Sequence, residues 1–182
     1  MRVVVADDAA LLREGLARLL VEAGFEVAGL AADAEELFAL VERCQPDVAI
    51  VDIRMPPSFT DEGLQAAKEI RVRWPDVGIL VLSQHVRASY ALELLSDGTD
   101  GIGYLLKERV SDVEELRAGV ERVGRGDSVL DPLVVEQLVG RPRRGNVPLE
   151  HLTDRVEALG GSLTVSSPPG RGTTLRVEIP CE

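Results

Sequence analysis

Val3-Val4-Val5-Ala6-Asp7-Asp8, a short apolar run closed by two carboxylates, decides how the chain reads, because its pattern recurs three more times. Val48-Ala49-Ile50-Val51 runs into Asp52, Ile79-Leu80-Val81-Leu82 into Ser83, and Ile102-Gly103-Tyr104-Leu105-Leu106 into Lys107. Apolar runs of this length, separated by helical spacing, read as buried parallel strands. In an open α/β sheet the ligand site lies just beyond the carboxyl ends of the strands. The pattern therefore brings three carboxylates, a hydroxyl and an ammonium to one edge of one sheet. That is a donor set for a phosphoryl group and a divalent metal.

Working outward, the spacing predicts strands over about 2–6, 25–31, 47–52, 78–82 and 101–106, and helices over about 10–23, 33–44, 62–74, 86–97 and 112–125. Leu12, Leu16, Leu19, Leu20 and Ala23 keep helical spacing until Gly24, placed as a C-terminal cap. Asp33 is expected to cap the second helix, and Pro46 and Pro75 end the helices before them. Strict alternation implies right-handed crossovers with helices on both faces. The expected fold is a flavodoxin-like, doubly wound, five-stranded parallel α/β sheet of order 2-1-3-4-5. Its switch point lies between the strands that carry Asp7, Asp8 and Asp52.

The character changes after residue 131. Asp131-Pro132 can open a short helix through Leu133, Val134, Leu138 and Val139, and Gly140 to Asn146 reads as a linker. A helical pattern from His151 to Leu159 stops at Gly160-Gly161. Alternating runs at 162–166 and 173–179 then flank a turn at Pro168-Pro169-Gly170-Arg171-Gly172. The expected organisation is a domain over 1–131, a short helix and linker over 132–150, and a small helix plus β-hairpin over 151–182.

Composition narrows the function classes. Of the 182 residues 45% are hydrophobic but only 3% aromatic, so the core must be aliphatic. No apolar run approaches the roughly 20 residues of a membrane span, and no basic-apolar leader opens the chain; a cytoplasmic protein is expected. Cys44 and Cys181 have no metal-ligand spacing, and Cys44 is expected to pack as a small apolar residue. Residues 1–132 carry 14 Lys/Arg against 25 Asp/Glu, and residues 133–182 carry 6 of each. Neither part has the basic surplus that binding to a phosphate backbone requires.

An oxygen-rich acidic pocket suits hard Mg²⁺. Asp8 and Asp52 are the expected direct ligands, with Asp7 acting through water and the Arg54 backbone carbonyl as a further oxygen. One carboxylate can then attack a phosphoryl group in line to give an aspartyl phosphate. Lys107 and the metal offset charge on the equatorial oxygens, and Ser83 donates to one of them. Met55 and Trp74 are expected to be packing residues, and Tyr104 can be a half-buried core tyrosine.

On the motifs Val5-Ala6-Asp7-Asp8, Val51-Asp52-Ile53-Arg54-Met55-Pro56, Leu82-Ser83-Gln84 and Gly103-Tyr104-Leu105-Leu106-Lys107, residues 1–131 resemble the receiver domain of two-component response regulators, most closely those of the LuxR type. The resemblance implies that Asp52 is the phosphoacceptor, loaded by a histidine kinase, with Lys107 and Ser83 completing the catalytic set. It further implies that Tyr104 swings inward on activation, and that the face of helix 86–97, strand 101–106 and helix 112–125 then binds a partner or forms a homodimer. It implies no turnover enzyme beyond self-catalysed phosphorylation and dephosphorylation. Two departures stand out: the loop Met55 to Gly63 is longer than the family's common form, and Glu108 replaces the proline that often follows the lysine, so a cis bond there is not expected.

A LuxR-type chain would continue into a helix-turn-helix, but two alternating runs after a helix stop cannot form one. Residues 152–180 instead resemble the closing helix and hairpin of a histidine-kinase ATP-binding domain, without the elements that would hold ATP. Gly170 and Gly172 are expected only to make a tight turn. So short a unit buries too little to stand alone.

Overall fold

The computed structural model describes residues 1–96, 98–139, 162–166 and 174–178. The chain divides between Val139 and Gly140 into two compact units. In the first, β1 (Arg2–Ala6), α1 (Ala10–Glu22), β2 (Glu26–Ala31), α2 (Ala34–Cys44), β3 (Val48–Asp52) and α3 (Glu62–Arg73) alternate as the spacing predicts. They are followed by β4 (Gly78–Ser83), α4 (Ala88–Leu95), β5 (Ile102–Leu106), a 3-10 turn (Lys107–Ser111), α5 (Val113–Gly124), β6 (Val129–Leu130) and α6 (Pro132–Val139).

The sheet is parallel and ordered β2-β1-β3-β4-β5-β6. The expected order of the first five strands holds, and the expected strand number is corrected to six. β6 pairs only Val129 with Gly103 and Leu130 with Tyr104. Two residues are too few to display a period, so nothing in the sequence announced them.

Every residue of β3, β4 and β5 is buried, as expected of strands covered on both faces. Alternate residues feed two cores. Val4, Ala49, Val51, Ile79, Val81 and Tyr104 pack with side chains of α2, α3, α4 and α6. Val3, Val5, Val48, Ile50, Leu80 and Leu82 pack with Leu16 and Leu20 of α1 and Leu116, Val120 and Val123 of α5. Burying each of the Val, Leu and Ile side chains contributes roughly 1.5–3 kcal/mol, which commits the register, since a one-residue slip would exchange the faces.

The helix boundaries have local causes. Gly24 takes φ +91° after α1, a left-handed geometry that glycine adopts without strain. Asp33 accepts from the Glu36 N–H at 2.9 Å and caps α2, as expected. Asp112 caps α5 by accepting from the N–H groups of Glu114 and Glu115. α4 starts two residues later than its apolar spacing suggests, because Arg87 is extended. α6 has Pro132 at its first position and buries Val134 completely. It therefore lies with the sheet, whereas the sequence placed it with the linker.

Gly63, in the first turn of α3, is pressed against the end of β3. Its N–H donates to the Ile53 carbonyl at 2.9 Å, and an added Cβ would sit 1.7 Å from the Asp52 carbonyl oxygen. Because the obstacle is backbone, Gly63→Ala is expected to cost about 3 kcal/mol and to displace Asp52. A chemical denaturation curve unchanged from wild type would contradict this packing.

In the second unit, β7 (Ser162–Ser166) and β8 (Thr174–Glu178) pair antiparallel, from Ser162 opposite Glu178 to Ser166 opposite Thr174. The linker, the helix expected over 151–159, the turn with Gly170 and Gly172, and Cys181 lie outside the described residues. Among the described residues no helix is long and apolar enough to cross a membrane.

Candidate functional site

Four strand ends deliver the polar residues. Asp7 and Asp8 leave β1, Asp52 closes β3, Ser83 closes β4, and Lys107 follows β5. Parallel pairing in register places all of these ends at one rim, so residues 100 apart in sequence come into contact.

Asp7, Asp8 and Asp52 each offer an oxygen within 4.8 Å of the others. Asp7 is fully buried, Asp52 is 4% exposed, and Asp8 opens to solvent. Lys107 Nζ reaches between the two buried carboxylates, 2.7 Å from Asp7 Oδ2 and 2.9 Å from Asp52 Oδ2. The other Asp7 oxygen accepts from the Ala9 N–H at 2.9 Å, which fixes the carboxylate as the chain turns into α1.

At this spacing two ionised carboxylates repel by roughly 3 kcal/mol at an effective dielectric near 20. One ammonium cannot offset three of them. Burial pushes the Asp52 carboxyl above its ordinary range, opposed by its hydrogen bond and charge contact with Lys107. For Lys107 burial acts downward, but the hydrogen bonds and charges of Asp7 and Asp52 together carry the ammonium above its usual value. The set is all oxygen, clustered and short of positive charge, which fits a hard divalent cation such as Mg²⁺.

A cavity of about 190 Å³ opens over Asp8 and Asp52, bounded by Arg54, Ser83, His85 and Arg87. Phe59, half-exposed, stands in the long loop at its rim. Arg54 lines the same cavity as Asp8 and Asp52. The bond after Lys107 is trans, as expected without a proline, and Pro56–Pro57 is cis.

Ser83 lies at this edge, but its hydroxyl is engaged with the chain. Oγ donates to the His85 carbonyl at 2.8 Å, and the His85 N–H approaches Oγ at 3.3 Å. Tyr104 is fully buried, and its hydroxyl donates to that same His85 carbonyl at 3.3 Å. Burial raises the Tyr104 pKa. The tyrosine is thus already turned inward. The shared acceptor was invisible in sequence, where His85 is an unremarked residue after Ser83. Met55 is fully buried and Trp74 packs against the core, both as expected. Cys44 is likewise partly buried against it.

Residues 3–121 match the family described as the response regulator receiver domain. The chain is 39% identical over 145 residues to the transcriptional regulatory protein DegU of Brevibacillus brevis, covering 79% of this chain and 58% of that protein. It is 37% identical over 140 residues to the oxygen regulatory protein NreC of Staphylococcus carnosus, covering 76% of this chain and 62% of that protein. The chain thus spans about 58–62% of the length of these curated relatives. Among solved structures it is similar to a LuxR-family two-component response regulator from Aurantimonas sp., at 27% identity and TM-score 0.65, covering 76% of this chain and 94% of that one. It shares its fold with the isolated receiver domain of RcsB from Salmonella enterica serovar Typhimurium, at 23% identity and TM-score 0.63, covering 76% and 98%.

Proposed function

The chain belongs to the response regulator receiver domain family, of the LuxR/NarL/DegU type, and on that premise we propose that Asp52 is its phosphoacceptor. The observation that carries this reading is the double contact of Lys107 with Asp7 and Asp52 beside an open, oxygen-lined cavity. One Asp52 carboxylate oxygen attacks the phosphorus in line. The bond from phosphorus to the donor's nitrogen (phosphohistidine of a kinase) or oxygen (acetyl phosphate) breaks, and the pair of electrons leaves with the donor. Lys107 holds the carboxylate in place and offsets charge on the phosphoryl oxygens. Ser83 exchanges the His85 carbonyl for a phosphoryl oxygen, which frees the segment between β4 and α4. Mg²⁺, held by Asp8, Asp52 and the Arg54 carbonyl with Asp7 through water, would neutralise developing negative charge. The altered face of α4, β5 and α5 then biases partner binding or homodimer formation.

The site is a switch rather than a turnover enzyme. Hydrolases with an aspartate nucleophile commonly place an acid two residues later, and here that position holds Arg54. A second reading, DNA-bound transcription control, starts from the similarity to the transcriptional regulatory protein DegU. Against it for this chain, residues 162–166 and 174–178 pair as antiparallel strands rather than forming a recognition helix. A salt-dependent shift of duplex DNA by the pure protein would favour it. The hairpin and the sequence before it read as the remnant of a kinase ATP-binding domain without nucleotide binding.

Incubation with acetyl phosphate and Mg²⁺ is expected to add one phosphoryl group, labile to hydroxylamine as an acyl phosphate must be. A hydroxylamine-resistant label would point to a hydroxyl acceptor and sink the reading. Metal competes with a proton at Asp52. Since the Asp52 pKa lies above the carboxylate norm, apparent Mg²⁺ affinity should start to fall at a higher pH than for an ordinary aspartate. Below that point it should drop by about tenfold per pH unit. A flat affinity down to the ordinary carboxylate range would contradict the burial argument.

A further inference from the structure

The last helix of the sheet-bearing unit, α6, is fastened to the site at two points that phosphoryl transfer itself does not use. The first is Asp131, fully buried. Its Oδ2 accepts from the Leu106 N–H at 3.4 Å and from Arg109 Nε at 3.3 Å, and its Oδ1 accepts from the Leu133 N–H at 2.9 Å. Leu106 precedes Lys107, Arg109 lies in the turn after it, and Leu133 opens α6. The Asp131 N–H also donates to the Tyr104 carbonyl at 2.8 Å. One carboxylate thus joins the lysine-bearing turn to the start of α6.

The second is Gln137. Arg87, at the N-cap of α4, makes no side-chain cap. The Ala88 N–H instead donates to Gln137 Oε1 at 3.3 Å, so α4 borrows an acceptor from α6. Between the two fastenings Val134 is buried in the cluster that holds Ala91, Leu94 and Tyr104. The strand ends bearing Ser83 and Lys107 therefore both terminate, within a few residues, on one short helix.

We propose that α6 is a lever whose position follows the phosphorylation state of Asp52, with Asp131 and Gln137 as positioning residues. The inference rests on Asp52 being the phosphoacceptor. A phosphoryl group draws Lys107 off the Asp7–Asp52 pair and Ser83 off the His85 carbonyl. The first change pulls on the turn tied to Asp131, and the second on the segment that ends at Ala88. A packed helix answers such pulls by changing between discrete arrangements rather than by stretching. Coupling is reciprocal, so the hold of α6 must also feed back on the phosphoryl group.

The test is amide exchange on the full chain with Mg²⁺, before and after acetyl phosphate, alongside phosphoryl lifetime by intact mass. Residues 132–139 should change exchange rate by about threefold or more on labelling. Gln137→Leu should shrink that change and alter the lifetime by a similar factor. Gln137→Glu retains an acceptor at the α4 N-terminus and should restore both. A labelled protein whose α6 exchange is unchanged, or a Gln137→Leu lifetime equal to wild type, overturns the lever while leaving the phosphoacceptor intact. Absence of any label, read from the same mass spectra, overturns the phosphoacceptor reading and the lever with it.

Discussion

Asp52→Asn is expected to abolish labelling by acetyl phosphate altogether while leaving the fold intact. An amide is not a nucleophile towards phosphorus under these conditions. Asp7, though nearby, has one oxygen on the Ala9 N–H and the other on Lys107. Asp8 is exposed and lacks the ammonium contact that holds Asp52 in place. The substitution also removes one of three clustered like charges, so thermal stability without metal should hold or rise. Mg²⁺ affinity should fall, because a ligand has lost its charge. Persistent labelling would transfer the role to another side chain.

Lys107→Met is expected to produce the largest loss of stability. It deletes a cation in contact with two buried carboxylates, and stripping one partner from a buried ion pair costs about 3 kcal/mol or more. For a chain of this size that corresponds to a melting temperature lower by roughly 10 °C. Saturating Mg²⁺ should recover much of the difference, since the metal supplies the missing charge. Equal losses with and without Mg²⁺ would mean that the lysine packs rather than neutralises. pH gives the same information. The Lys107 pKa lies above its unfolded value, so its stabilisation is complete below the unfolded value and disappears as the pH climbs through the folded one. Wild type should therefore lose an alkaline increment of stability that Lys107→Met never had.

How much of this was readable in advance follows from the range of the interactions. The convergence of Asp7, Asp8, Asp52, Ser83 and Lys107 was legible because parallel register alone carries four strand ends to one rim. Short, continuous apolar runs mark those strands. What was not legible depends on the chain folding back at close quarters. Asp131 looked like a helix opener, which it is, but its bonds to Leu106 and Arg109 span 25 and 22 residues and rest on a two-residue strand with no period. The late start of α4 has a similar cause. Val86 and Arg87 suit a helix, yet the Ser83 hydroxyl holds the His85 backbone at both its N–H and its carbonyl, keeping the chain extended to Arg87. The inward Tyr104 could be read only as one of two alternatives, because its acceptor is a backbone carbonyl that any residue would supply.

The most direct measurement is to label the protein with acetyl phosphate and Mg²⁺, reduce the acyl phosphate with borohydride, and sequence the modified peptide. Homoserine in place of Asp52, and at no other aspartate, is the predicted result. Homoserine at Asp7, Asp8 or Asp131, with Asp52 unmodified, would contradict the account.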